Sequence, residues 1–255
     1  MRKIKLLIEY DGSAYHGWQI QKREPTIQSV LEGAVRKVAG EPSAVIGAGR
    51  TDAGVHALGQ VAAFTTSSEL PPDVIKKALN AVLPPDIRIL NASDADAGFR
   101  PRDDALRKRY YYIIANQRAS SAFLHRHVWL VRQPLDMKAM TTAGAAVVGT
   151  HDFSSFMGTG SGIKNPVRQI FSLDISQLRQ IDFMTAEFTG DFIKISIEAT
   201  GFLRHMVRNI VGTLVEVGRG RIPAESLADI MARRDRKYAG PTAPANALFL
   251  ERIIY

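Results

Sequence analysis

The 255-residue sequence contains no cysteine. That excludes disulfides, zinc ribbons, iron–sulfur clusters and a thiolate nucleophile, and it fits a reducing compartment without establishing one. Long apolar runs are missing as well. No stretch approaches the roughly 20 residues of a membrane helix, so no membrane partner is expected. The first ten residues lack the apolar core and small-residue cleavage site of a signal peptide. No Gly-x-Ser-x-Gly elbow and no Walker loop occur. His125 and His127 have no acidic partner at ligand spacing, which argues against a metal site. Acidic residues are also in deficit: 25 Asp and Glu stand against 33 Lys and Arg, a formal net charge of +8.

What is present is ordinary for a globular protein, 45% hydrophobic and 23% charged residues. The length allows one large or two modest domains, either with a sizeable core. The charge is uneven: residues 1–103 hold 13 basic and 12 acidic groups, whereas residues 104–255 hold 20 and 13. Arg outnumbers Lys by 22 to 11. A planar guanidinium grips phosphate bidentately and stacks on bases, so this balance suits a nucleic-acid partner. On charge alone a merely soluble basic surface explains it equally well.

The first half alternates strand and helix patterns. Residues 4–10 form a short apolar run, punctuated by Asp11-Gly12-Ser13. Thr26 is a good N-cap, and Ile27, Val30, Leu31, Ala34, Val35 and Val38 make one helical stripe closed by Gly40. Residues 43–46 and 60–65 read as strands around a glycine-rich loop. Residues 73–83 read as a helix with Val74, Ala78, Leu79 and Val82 inward, stopped by Pro84-Pro85, and residues 87–90 as a strand. The order β-α-β-β-α-β is the ferredoxin-like split arrangement. The polar stretch 91–104 suggests a boundary, giving units 1–103 and 104–255. The second unit opens with a strand over 109–115. It continues with a helix over 136–148, strands over 167–176, 184–188 and 192–199, and a long helix over 202–217. A short helix over 223–233 and a strand over 248–254 complete it. The fold class is α+β, with two related halves and a cleft expected between them.

Three stretches carry the chemistry. Gly47-Ala48-Gly49-Arg50-Thr51-Asp52-Ala53-Gly54-Val55-His56 puts an acid, a base and three glycines in one short loop. Asp is also common in plain turns, so on its own an Arg-x-Asp turn is more readily structural than functional. Arg107-Lys108-Arg109-Tyr110-Tyr111-Tyr112 runs three cations into three tyrosines. Alternation sends Tyr110 and Tyr112 to one face, Tyr111 to the other. Cations plus rings suit RNA; Tyr112 is better read as core, and Tyr110 is open. On the 202–217 helix, Arg204 and Arg208 lie four apart with His205 beside them, amid an apolar stripe. Such an arginine is solvated, binds phosphate, or pairs with a carboxylate. Weaker features are the glycine-rich residues 158–162, which lack strand–loop–helix context, and the basic cluster Arg233, Arg234, Arg236 and Lys237, suited equally to a helix dipole or to RNA.

Taken in order, these residues resemble the TruA-type tRNA pseudouridine synthases. The resemblance rests on Gly49-Arg50-Thr51-Asp52-Ala53-Gly54-Val55-His56, on Glu9-Tyr10-Asp11-Gly12-Ser13 with Gly17-Trp18-Gln19 and Gln21, and on Arg109-Tyr110-Tyr111-Tyr112-Ile113-Ile114. His151-Asp152-Phe153-Ser154-Ser155-Phe156 and His205-Met206-Val207-Arg208-Asn209-Ile210-Val211-Gly212 continue it across nearly the whole chain. The resemblance implies a pseudouridine synthase fold, antiparallel sheets of two halves joined across a central catalytic cleft. It implies isomerisation of uridine to pseudouridine at positions 38, 39 and 40 of the tRNA anticodon stem-loop, without cofactor or metal, by a cytoplasmic homodimer. It further implies that Asp52 is the catalytic carboxylate, nucleophile or base, acting on a flipped-out uridine. Arg50 would fill the vacated space, Tyr110 would contact the freed base, and Arg208 would pair with Asp52, since a nearby cation favours a charged carboxylate. Arg204 and His205 would contact substrate. The chain departs from the family pattern at Phe99-Arg100-Pro101-Arg102-Asp103-Asp104-Ala105, where Arg100 stands in place of an expected His. A competing reading is a non-catalytic RRM-like RNA-binding module, which shares the β-α-β-β-α-β order and a Tyr-rich strand but leaves the pairing of Arg50 with Asp52 in one loop unexplained.

Overall fold

The computed structural model describes residues 1–160, 162–183 and 185–255. The expected glycine loop at 158–162 and strand at 184–188 include Ser161 and Met184, which lie outside the described residues. The chain divides into two compact units, Met1–Lys108 with Phe249–Tyr255, and Arg109–Leu248. Each is α+β.

The first unit has the expected order. Strand β1 (Arg2–Tyr10) is followed by helix α1 (Ile27–Ala39), the two-residue β2 (Ile46–Gly47), β3 (His56–Thr66), helix α2 (Pro72–Val82) and β4 (Ile87–Ala95). β1 is central, antiparallel to β3 on one side and to β4 on the other. Its alternate residues Ile4, Leu6 and Ile8 are wholly buried, the period-2 signature of a half-buried strand. Thr26 caps α1 by accepting from the Ser29 amide in a capping box, and Gly40 ends it in the left-handed conformation.

Three details differ from the sequence pattern. Residues 43–45 are not a strand: Gln28 donates to the Val45 carbonyl and Glu32 accepts from the Val45 amide, so side chains of α1 take the groups a ladder would use. On α2 the buried residues are Ile75 and Leu79, while Val74 and Val82 face solvent. The i, i+4 pair continued by buried Leu83 forms the inward stripe, about 100° round the helix from Val74. The last strand, β10 (Leu248–Ile254), has the expected bounds, but all of it except Leu248 belongs, with Tyr255, to the first unit. There Phe249 and Leu250 pair in parallel with His56 and Ala57.

The second unit runs through β5 (Arg107–Ala115, of which Arg107 and Lys108 fall in the first unit), the short β6 (Trp129–Leu130), helix α3 (Met137–Ala145), β7 (Gly149–Asp152), β8 (Val167–Phe183), β9 (Ala186–Ala199) and helices α4 (Met206–Gly218) and α5 (Ser226–Ala232). The strand order is β5-β9-β8-β7. β8 and β9 form one long hairpin, with Ile175 opposite Ile195 and Ile181 opposite Phe188. The break read at 189–191 is a ladder irregularity instead: the Asp191 amide donates to the Gln117 side chain and the Asn116 amide to the Asp191 carbonyl. Every residue of α4 except Arg208 is buried, so this helix is the core of the unit rather than a surface element.

Candidate active-site loop and arginine helix

The loop between β2 and β3 is built from the backbone outward. The Val55 amide donates to the Asp52 carbonyl at 3.1 Å, closing a four-residue turn with Gly54 at φ +77°. That dihedral is one a β-carbon opposes, hence glycine at the third position. The turn is clamped by residues 15–18. The Trp18 amide donates to the Thr51 carbonyl (3.0 Å), and the Gly54 amide to the Tyr15 carbonyl (3.3 Å). Gly17, at φ +85°, lies so close that a β-carbon there would meet the Thr51 carbonyl oxygen at 2.6 Å. The same segment is tied to α1, whose Ile27 and Gln28 amides donate to the Gly17 and Trp18 carbonyls. Two amide donors that the first turn of a helix leaves unsatisfied are thus used to hold the loop's clamp.

A buried polar group supports the loop from beneath. The Tyr10 hydroxyl and Thr51 Oγ1 are 2.8 Å apart, and the Gln60 side-chain Nε2 donates to the Gly49 carbonyl (2.9 Å) and reaches the Tyr10 hydroxyl at 3.5 Å. Burial pushes the Tyr10 phenol up to about 12, its bonds to Thr51 and Gln60 opposing the rise. Lys108 Nζ donates to the Ala48 carbonyl at 2.6 Å. At the loop's exit His56 is buried, stacked on Phe249 (4.7 Å between centroids), with Nδ1 3.1 Å from the Asp11 carboxylate. On this rigid mount Arg50 is exposed and Asp52 half-buried. Tyr10, Thr51 and Lys108 stand in the sequence motifs without a supporting role, and Gln60 was not singled out. The available signal was Gln60, a polar residue inside an apolar strand and wholly buried.

The other candidates lie in the second unit. Tyr110 is 7% exposed and meets Phe202 edge-on at 5.1 Å. Tyr112 is wholly buried, its hydroxyl donates to the Pro244 carbonyl (2.8 Å), and burial raises its phenol well above the usual range. Tyr111 points to the opposite face, under Lys194 Nζ at 4.7 Å. Arg208 lies in the first turn of α4, where its Nε donates to the Ala243 carbonyl (2.7 Å) while the Ala243 amide donates to its own carbonyl (3.1 Å). The first bond anchors the guanidinium at Nε, and the second joins the backbones of Ala243 and Arg208.

Arg204 does not share a helix with Arg208. α4 begins at Met206, four residues later than the pattern predicts, because His205 sits at φ +60°, a conformation uncommon outside glycine. Arg204 is exposed and donates to the Thr159 carbonyl at 3.4 Å; its own carbonyl accepts from the Gly158 amide at 2.8 Å. The structure thus gathers Arg50 and Asp52 on one loop of the first unit. Tyr110, Arg204, His205 and Arg208 all belong to the second.

Comparison with known proteins is consistent across the chain. A family profile described as tRNA pseudouridine synthase matches residues 6–102 and 143–255. A protein named tRNA pseudouridine synthase A from Thermoanaerobacter sp. (strain X514) is 45% identical over 255 residues, covering all of both chains. The protein of the same name from Acetivibrio thermocellus is 46% identical, again over the whole of both chains. That from Myxococcus xanthus is 44% identical over all of this chain and 92% of its own.

Proposed function

The chain belongs to the tRNA pseudouridine synthase family, isomerases that convert uridine to pseudouridine in tRNA, and from that premise we propose that Asp52 is its catalytic carboxylate. The reaction breaks the N1–C1′ glycosidic bond, turns the uracil over and joins C1′ to C5. The C5 hydrogen leaves as a proton and N1 takes one up, so atoms balance without any energy source. A carboxylate acting as nucleophile or base on the ribose or the uracil is what this sequence of steps requires. The observation that carries the assignment is the mounting of Asp52, half-buried on a turn held by backbone bonds from residues 15–18 and by the buried Tyr10–Thr51 contact. A catalytic group needs that kind of rigidity.

The remaining roles follow from the same reading. Arg50, exposed two residues from Asp52, takes the space left by the flipped uridine, since the reacting base must leave the helical stack. Tyr110 contacts the freed base. Arg208, its guanidinium held by Ala243, is assigned as the counter-ion of the catalytic carboxylate. Arg204 and His205 contact the RNA backbone. The substrate is the anticodon stem-loop at positions 38, 39 and 40, the enzyme is a cytoplasmic homodimer, and no cofactor is required. Among the described residues no helix is long and apolar enough to cross a membrane.

Tritium release from an unmodified tRNA transcript labelled at uracil C5 tests the assignment. Wild type should release tritium with the RNA chain intact. Asp52→Ala should release none while its affinity for the transcript stays within a few-fold. Near-normal release by the variant would remove Asp52 from the chemistry. Binding by both proteins with release by neither would favour an RNA-binding module.

A further inference from the structure

The turn after α5 is basic, is held by side chains from elsewhere in its unit, and has no part in the roles assigned above. Residues 233–237 carry Arg233, Arg234, Arg236 and Lys237 against the single acid Asp235. Arg234 sits at φ +51° and its Nε is 3.1 Å from the Asp152 carboxylate. The Asp235 amide donates to Ser155 Oγ (3.0 Å), and that buried hydroxyl donates to the Ile230 carbonyl (2.6 Å). The Asp235 carboxylate caps the turn by accepting from the Lys237 amide, and that bond holds its pKa below the ordinary value. Arg236 reaches inward to Asn209 Oδ1 (3.1 Å), Thr242 Oγ1 (3.2 Å) and the Ala239 carbonyl (3.1 Å).

This scaffold displays one aromatic ring. Tyr238 keeps 42% of its surface in solvent, with the Arg233 guanidinium 4.5 Å and Lys237 Nζ 5.1 Å from its centroid. Lys237 also pairs with Asp235 at 3.1 Å, but its side chain is 69% exposed. An exposed pair of this kind restrains a lysine only weakly. A part-exposed ring beside two cations, on a turn pinned at four points, combines the two components of single-strand recognition. The ring offers a face for stacking a base, and the cations offer charge for the adjoining phosphates.

We propose that Arg233, Lys237 and Tyr238 form a second RNA contact, a stacking and phosphate-binding patch that grips the tRNA away from the uridine being isomerised. The proposal rests on the family's tRNA substrate and deepens it. RNA is favoured over a protein partner because the patch joins excess positive charge to an exposed aromatic ring.

The test measures binding and turnover separately on an unmodified tRNA transcript. Tyr238→Ala should raise Kd and KM about tenfold with kcat unchanged, and Tyr238→Trp should restore both. The double variant Arg233→Gln/Lys237→Gln should lower the slope of log Kd against log salt by about 1.5, two phosphate contacts at roughly 0.7–0.9 each. Wild-type affinity and salt slope in all three variants would overturn the patch. If wild type fails to isomerise the transcript, the family activity falls, and the same binding comparison still decides the patch.

Discussion

Changing Gly17 to alanine is the sharpest test of how the Asp52 loop is held. Gly17 is at φ +85°, where a β-carbon costs roughly 1–2 kcal/mol in backbone strain. The added carbon would also stand 2.6 Å from the Thr51 carbonyl oxygen and 3.0 Å from both the Asp52 carbonyl carbon and the Ala53 nitrogen. These are backbone atoms, so nothing flexible can swing aside. Relief to an ordinary contact of 3.4 Å from 2.6 Å needs the loop or the clamp to move by about 0.8 Å. Displacements of roughly an ångström at a reacting group cost about 100-fold in rate. Gly17→Ala should therefore lose about 2–4 kcal/mol of stability, strain and contact together. Its kcat in tritium release should fall about 10- to 100-fold, with tRNA affinity within a few-fold. Gly33→Ala is the matched control. It lies within α1 with nothing within 4 Å of its added carbon, and should gain about 0.5–1 kcal/mol from helix propensity. Urea titration and single-turnover tritium release on both variants settle the point. Wild-type stability and kcat in Gly17→Ala would refute the clamp.

Three further outcomes are expected. Arg208→Met should lower kcat about 100-fold or more, as loss of a charge-stabilising group does, with tRNA binding within a few-fold and partial recovery in Arg208→Lys; an unchanged kcat would dismiss Arg208 as the counter-ion. The Tyr10 phenol, raised from 10.0 to about 12, contributes stability that is complete below pH 10 and lost as pH rises through about 12. Tyr10→Phe should therefore reduce the alkaline fall in urea midpoint, only partly, because Tyr15, Tyr112 and Tyr255 are raised as well. Glu216 behaves oppositely. Burial raises its pKa, but the bonds from Arg219 and Arg221 outweigh that and leave it lowered. Its contribution is present above pH 4.5 and lost on acidification through the folded value, so Glu216→Gln should be less stable at neutral pH with a shallower acid fall. Parallel acid limbs in variant and wild type would count against this coupling.

Much of the architecture was legible because local chemistry and tertiary structure agree. Thr26 and Gly40 bound α1 as their cap preferences require, and β10 has the bounds its apolar run predicts. What failed were features set by distant partners. The stretch 43–45 alternates like a strand, but Gln28 and Glu32 of α1 take its backbone. The apolar stripe of α4 continues back to Phe202 in sequence, yet the left-handed His205 starts the helix at Met206, so Arg204 and Arg208 are not one helical face. The candidates Arg50 and Asp52 stand out in sequence as an acid and a base in a glycine-rich loop. Their mounting was not, since Tyr10, Gln60 and Lys108 come from strands whose pairing no local pattern reveals.

The parallel pairing of Phe249 and Leu250 with His56 and Ala57 has a consequence for synthesis. Nearly two hundred residues separate the partners, a loop whose closure contributes to high contact order and slow folding. While the ribosome is still making the second unit, the start of β3 lacks this neighbour and His56 lacks the ring it stacks on. An unpaired strand edge of that kind invites association with other chains. The unit bearing Asp52 can therefore reach its final form only after translation has delivered the last strand. A stall anywhere between β4 and β10 should leave it open-edged and inactive, however well its other four strands have paired.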